Sequence, residues 1–185
     1  VVAVSAGDGH SLALTADGAV WSWGDGSSGR LGHGDAQNQL LPKKIEALAG
    51  QRVVAVTAGD QHSLAITADG AVWSWGHRAF GSLGHGDLQH QLLPKKVEAF
   101  AGQRVVAVSA GGFHSLAITT DGAVWSWGDG GHGRLGHGDE QRQLLPKKVE
   151  AFAGQRVVAV SAGRFHSLAL TADGSVWSWG YGSTG

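Results

Sequence analysis

Cysteine and methionine are both absent from this 185-residue chain, proline occurs three times and tyrosine once. Without cysteine there is no disulfide framework, no thiolate zinc site and no thiol redox chemistry. Lys and Arg number 14 against 15 Asp and Glu, a formal net charge of −1. That balance excludes the electrostatic footprint of nucleic-acid binders and of polybasic proteins at membrane surfaces. No apolar run approaches the ~18 residues of a membrane-spanning helix, and no segment has the pattern of a signal peptide. With Val1 where an initiator would stand, the chain reads as starting inside a longer protein, or as processed or designed to begin there. A hydrophobic fraction of 42% lies above that of disordered chains.

What the chain has in abundance is repetition. VVAVSAG at Val1 returns as VVAVTAG at Val53 and as VVAVSAG at Val105 and Val157, each step being 52 residues. HSLAL or HSLAI begins at His10, His62, His114 and His166, and VWSWG begins at Val20, Val72, Val124 and Val176. LGHGD begins at Leu31, Leu83 and Leu135, and QLLPKK at Gln39, Gln91 and Gln143. The units are therefore 1–52, 53–104, 105–156 and a truncated 157–185.

The pattern inside a unit is β. VVAVSA is a short run of apolar and small residues, as expected of a strand covered on both faces. HSLALT and AVWSW alternate, and Ala16-Asp17-Gly18 between them supplies a hairpin turn in which Gly takes the positive φ. Gly24 to about Leu41 reads as a loop, and Pro42 opens KKIEAL as a fourth, solvent-facing strand. AGQR turns the chain into the next unit. The expected fold is all-β: a β-propeller of four-stranded antiparallel blades, incomplete, with three blades plus three strands of a fourth.

The order LGHGD, then Pro with Val-Glu-Ala, then VVAVSAGxxHSLALTADGAVWSWGxGxxG resembles the regulator of chromosome condensation repeat family over essentially the whole chain. One departure is Ser-Ala-Gly or Thr-Ala-Gly where that family often has Ala-Cys-Gly. The resemblance implies a propeller whose members include guanine-nucleotide exchange factors, substrate-binding domains of ubiquitin ligases, a plant ultraviolet-B photoreceptor and an inhibitor of β-lactamase. The photoreceptor role is disfavoured, because its GWRHT motif is matched here by GDGHS, GDQHS, GGFHS and GRFHS. Exchange on a nuclear GTPase depends in that family on a wedge-like insertion, and no unit here is interrupted. The near-identical units are most similar to the arrays of HERC-type ligases.

All eight tryptophans come from WSW, and residues i and i+2 share a sheet face, so each blade offers a Trp pair. Burying one removes ~150–250 Å² from water, roughly 4–6 kcal/mol gross as an upper bound. Packing between blades is the expected use. An open arc would leave two apolar flanks exposed, so the simplest expectation is a segment of a longer propeller. Its remaining blades would lie in the parent chain or a second copy; a tight four-blade closure is the rival.

Binding is expected at one rim. Units two and three differ at 11 of 52 positions, and nine of those fall in the loops joining strands 1–2 and 3–4. The opposite rim, TADGA and AGQR, hardly changes. A variable rim on a constant scaffold is the layout of a binding face. Its candidate partner-binding residues are Arg78, Phe80, Phe113, His132, Arg164, Phe165 and Tyr181, types that anchor protein interfaces. The expected partner is a protein, with a small GTPase as one possibility.

Other motifs lead away from chemistry. GxGxxG at Gly24, Gly128 and Gly180 lacks the helix that would hold a phosphate, and unit two breaks it. The ten histidines recur mostly once per unit, which suits hydrogen bonding of turns better than one metal centre. Asp35, Asp87 and Asp139 are expected to cap loop amides. There is no GxSxG elbow, and no acid or base stands out from the repeat in single copy. The expectation is a chain with no catalytic residue, no cofactor and no metal.

Overall fold

The computed structural model describes residues 1–182, so Ser183, Thr184 and the end of the last GxGxxG lie outside the described residues. Each unit forms one antiparallel sheet with its strands in sequence order. Blade 1 comprises β1 (Ala3–Ala6), β2 (His10–Leu14), β3 (Val20–Gly24) and β4 (Gln39–Lys44). Blade 2 comprises β5 (Val53–Ala58), β6 (His62–Thr67), β7 (Val72–Gly76) and β8 (Gln91–Lys96). Blade 3 comprises β9 (Val105–Ala110), β10 (His114–Thr119), β11 (Val124–Gly128) and β12 (Gln143–Lys148). Blade 4 has β13 (Val157–Ala162), β14 (His166–Thr171) and β15 (Val176–Gly180). The first strands of successive blades pack side by side, β1 on β5, β5 on β9 and β9 on β13. This is the arrangement of a propeller, with first strands inside and fourth strands outside.

The outer strand differs from the expectation. It runs through Pro42 from Gln39 to Lys44, and Glu46–Leu48 is a 3-10 turn rather than strand. The cause is the spacing of the apolar residues. Ile45 and Leu48, three apart, are 1% and 3% exposed and are both turned inward, with the Leu48 amide donating to the Ile45 carbonyl (3.2 Å). Alternation would have sent one of each apolar pair to solvent. Proline is tolerated because this strand is the sheet's edge, and the β3–β4 register shifts between Ser22 and Gly24.

The seams between blades hold the Trp pairs. Leu12, Leu14, Val20, Ile45 and Leu48 of blade 1 form one buried cluster with Trp75 and Ala65 of blade 2, Trp73 at its margin. In the next seam Phe100 meets Trp125 and Trp127 edge-on, ring centroids 5.7 Å apart in both pairs. In the last, Phe152 meets Trp177 edge-on at 5.9 Å and Trp179 at a tilt at 5.5 Å. Trp75 and Trp127 are fully buried.

Hydrogen bonds cross the same seams at fixed offsets. His10 Nε2 lies 2.8 Å from Ser63 Oγ, His62 Nε2 2.9 Å from Ser115 Oγ and His114 Nε2 2.8 Å from Ser167 Oγ. Each serine donates its own proton to a carbonyl, of Arg30 (3.0 Å), Ser82 (2.9 Å) or Arg134 (2.8 Å). It must therefore accept from the histidine, which fixes the Nε2–H tautomer. Trp127 and Trp179 Nε1 donate to the Ser82 and Arg134 carbonyls as well (2.7 and 2.8 Å). These histidines thus tie one blade to the next rather than bracing their own turn. Burial pushes the His10 imidazole down to about 4 and those of His62 and His114 to about 3, so all three are neutral near pH 7.

Glycine at the inner strand ends permits the close approach. A Cβ on Gly7 or Gly59 would collide with the carbonyl oxygen of Gly59 or Gly111 in the following blade. The arc stays open among the described residues rather than closing on four blades: Val4 is 73% exposed at one end and Val176 72% at the other.

Candidate functional site

Both rims are made by connections between the same strands, yet only one is uniform. At the constant rim Thr15, Thr67, Thr119 and Thr171 each donate a side-chain hydroxyl to the Asp two residues on, within the turn closed by Gly18, Gly70, Gly122 or Gly174. Those bonds hold the four aspartates below the usual carboxylate range.

The other rim is assembled from the strand 1–2 turns and the long strand 3–4 loops. Each complete loop begins with a one-turn 3-10 segment, Ser27–Gly29, Ala79–Gly81 or Gly131–Gly133. Its middle residue takes a left-handed conformation: Ser28 at φ 59°, Phe80 at 55° and His132 at 58°. The loop then runs through LGHGD. Ser22 Oγ donates to the Leu31 carbonyl (2.7 Å) and accepts from His33 Nε2 (3.0 Å), and the other two loops repeat this through Ser74 and Ser126. Asp35, Asp87 and Asp139 accept from the amides of Gln37, Gln89 and Gln141 (2.9–3.0 Å), the capping expected of them. The Gly34 and Gly86 amides reach the next blade's outer strand, at the Leu92 and Leu144 carbonyls (2.9 Å). The loop stems are therefore rigid, and the tips are displayed on them.

Six of the seven candidate residues fall into two groups. Phe80 of blade 2 meets Phe113 of blade 3 edge-on, centroids 5.5 Å apart, and the Arg142 guanidinium lies 4.9 Å over Phe80. Between blades 3 and 4, His132 lies 4.5 Å from Tyr181, which stands 6.2 Å from Phe165. Arg134 and Arg164 face the Phe165 ring at 5.2 and 5.4 Å. Arg78 stands beside the first group, where its Nη1 approaches the Leu88 carbonyl (3.5 Å) and its amide donates to His90 Nδ1 (3.3 Å). Phe80, Phe165 and Tyr181 are 38%, 38% and 41% exposed.

The charges differ between the groups. Arg164 pairs with Asp60 (3.3 Å) and Arg134 with Asp129 (3.2 Å). Burial raises the Asp60 carboxyl and Asp8 adds to the rise, against the cations Arg164 and Arg30. Among the described residues no carboxylate forms an ion pair with Arg78 or Arg142.

Sequence reasoning left out Arg142, His77, His90 and Arg134. The missed signal is the slot immediately before the outer strand, occupied by Asn38, His90 and Arg142. Asn38 Oδ1 and His90 Nδ1 accept the amides of Gly26 (2.9 Å) and Arg78 (3.3 Å) across the loop. Arginine has no acceptor, so Arg142 lies over Phe80 instead.

A segment of propeller with one constant and one variable rim is the class that fold and site define. The model of the RCC1-like domain matches residues 1–185, and the chain belongs to that family. It is 43% identical over 182 residues to the human E3 ubiquitin-protein ligase HERC2, covering 97% of this chain and 4% of that protein. It is 42% identical over 186 residues to the ultraviolet-B receptor UVR8 of Arabidopsis thaliana, covering all of this chain and 42% of the receptor. Among solved structures it is similar to Prp20p of Saccharomyces cerevisiae, with a TM-score of 0.82 and 32% identity over 97% of this chain and 44% of that one. The chain thus spans less than half the length of these relatives.

Proposed function

We propose that this segment is a non-catalytic protein-binding module that recognises a protein partner through its variable rim. The observation that carries the reading is the gathering of rim aromatics and arginines from adjacent blades into two exposed groups, on rigid loop stems. Aromatic and arginine side chains are the usual anchors of protein interfaces. The recurring histidines serve seams and loop stems and the recurring aspartates serve turn amides, which supports a scaffold without catalysis. Prp20p, a relative of similar fold, has been described for its binding to Gsp1p and histones and in complex with Kap60, so protein partners have a precedent on this scaffold.

In a longer protein the module acts as a substrate-binding region of a HERC-type ubiquitin ligase. Likeness to Prp20p favours a second reading, part of an exchange factor for a small GTPase. The test is partner capture by crosslinking to the folded chain. Double variants Phe80→Ala/Phe113→Ala and Phe165→Ala/Tyr181→Ala are expected to lose capture, whereas Gln51→Ala and Gln103→Ala on the constant rim keep it. Capture unaffected by either rim pair overturns the reading. Faster GDP release from a captured GTPase would select the exchange-factor alternative.

A further inference from the structure

We propose that the rim group between blades 2 and 3 docks an acidic peptide segment, with carboxylates on Arg78 and Arg142 and an apolar side chain against Phe80 and Phe113. The inference rests on the variable rim being a protein-binding face and names the chemistry of what binds there.

The argument begins with the donors and acceptors of the loop. His77 Nδ1 accepts the Ala79 amide (2.9 Å) and His90 Nδ1 accepts the Arg78 amide (3.3 Å). The two rings lie 4.7 Å apart, edge to face. Desolvation, each other's proximity and Arg30 and Arg78 hold His77 below its ordinary value, and desolvation and Arg78 do the same to His90. A neutral imidazole that accepts at Nδ1 donates at Nε2. The side chains of His77, Arg78, His90 and Arg142 therefore offer N–H donors and leave no free acceptor to a ligand. Such a surface complements a group that only accepts, and a carboxylate is the side chain of that kind.

Comparison with the neighbouring group sharpens the point. Arg164 and Arg134, beside Phe165, already hold Asp60 and Asp129. Around Phe80 the nearby acids are otherwise placed: Asp87 faces Lys95 (3.9 Å) and accepts the Gln89 amide, while Asp139 accepts the Gln141 amide. Glu140 precedes Arg142 by two residues and makes no ion pair among the described residues. The two guanidinium groups thus have no carboxylate partner among the described residues, whereas the arginines beside Phe165 are ion-paired.

The apolar half has its own marker. Phe80 sits at φ 55° and is 38% exposed. A bulky aromatic in the left-handed region is uncommon and strained, and serine fills the same place in blade 1. Phe113 meets the ring at its edge and the Arg142 guanidinium lies over its face.

The test is fluorescence anisotropy on the full chain with a labelled peptide in which four Asp or Glu residues flank one Leu. A second peptide carries the matching Asn and Gln amides. The acidic peptide is expected to bind about tenfold or more tightly than its amide twin, and to weaken severalfold between about 50 and 300 mM salt. Arg78→Glu/Arg142→Glu should erase the preference, and Arg78→Ala/Arg142→Ala should reduce it, with unchanged thermal melting showing that both variants fold. Equal affinity for the two peptides, no binding of either, or a preference that survives charge reversal overturns the proposal. A phosphoserine peptide bound more than about tenfold better than the carboxylate form also overturns it, in favour of a phosphoanion site. If Phe80→Ala/Phe113→Ala abolishes partner capture while the acidic peptide shows no advantage, only this inference falls. If that pair and the Phe165→Ala/Tyr181→Ala pair both leave capture intact, the binding-face reading falls with it.

Discussion

Seams and loop tips are built from the same repeat and obey opposite rules. In the seams the same residue types return at each step: a histidine on the next blade's serine, that serine on a carbonyl, and a Trp pair on the preceding blade's Leu or Phe. At the tips the same backbone carries Ser28, Phe80 and His132 in turn. The difference teaches where the repeat is free to vary. A seam residue is buried against two blades at once, so a change there disturbs both. A tip residue faces solvent from a stem secured below it.

Acidification should break the seams most. Because His10, His62 and His114 are depressed in the folded state, the unfolded chain binds protons first as pH falls below the ordinary histidine value of 6.5. Stability is then fully present above that pH. It is lost progressively down to about 4 for His10 and about 3 for the other two. Each histidine contributes a slope of about 1.4 kcal/mol per pH unit. Urea unfolding across this range checks it; a flat profile would contradict the buried, neutral ladder.

Next in size, Trp127→Ala should cost about 3–5 kcal/mol, because it empties a filled seam and strands Phe100. Trp177, 45% exposed, should cost well under half of that, measured by the same denaturation. Equal costs would mean that the seams do not carry the stability.

Ser115→Ala tests the hydrogen bonds alone. It leaves the His62 Nε2–H without an acceptor in a buried place and removes a donor from the Ser82 carbonyl. A loss of about 1–3 kcal/mol is expected.

The seam was only partly legible in the sequence. The 52-residue period, the turn glycines and the shared face of each Trp pair were readable because they depend on local spacing. The histidine's partner was not, since the Ser63 opposite His10 lies 53 residues away and only stacking brings it near. The outer strand was misplaced by the alternation of Lys and Glu, which hid the inward three-residue spacing of Ile45 and Leu48. At the rim, the variable residues could be named from unit-to-unit differences. Their grouping could not, because Phe80, Phe113 and Arg142 come from three separate connections.

The smallest expected effect belongs to the tip. Phe80→Gly relieves a left-handed phenylalanine and forfeits edge contacts with Phe113 and Arg142. The two changes should leave stability within about 0.5 kcal/mol by thermal melting, while partner capture falls sharply. A large destabilisation would make the tip part of the scaffold and blur the distinction between the two regions.

The fixed offset of the cross-blade bonds has a genetic consequence. Every junction uses the same donor and acceptor positions, so an unequal crossover between any two units yields a chain whose new junction is already complementary. Blade number can thus grow or shrink by whole copies in one event. Each duplicate arrives with its tip free to diverge toward a different target.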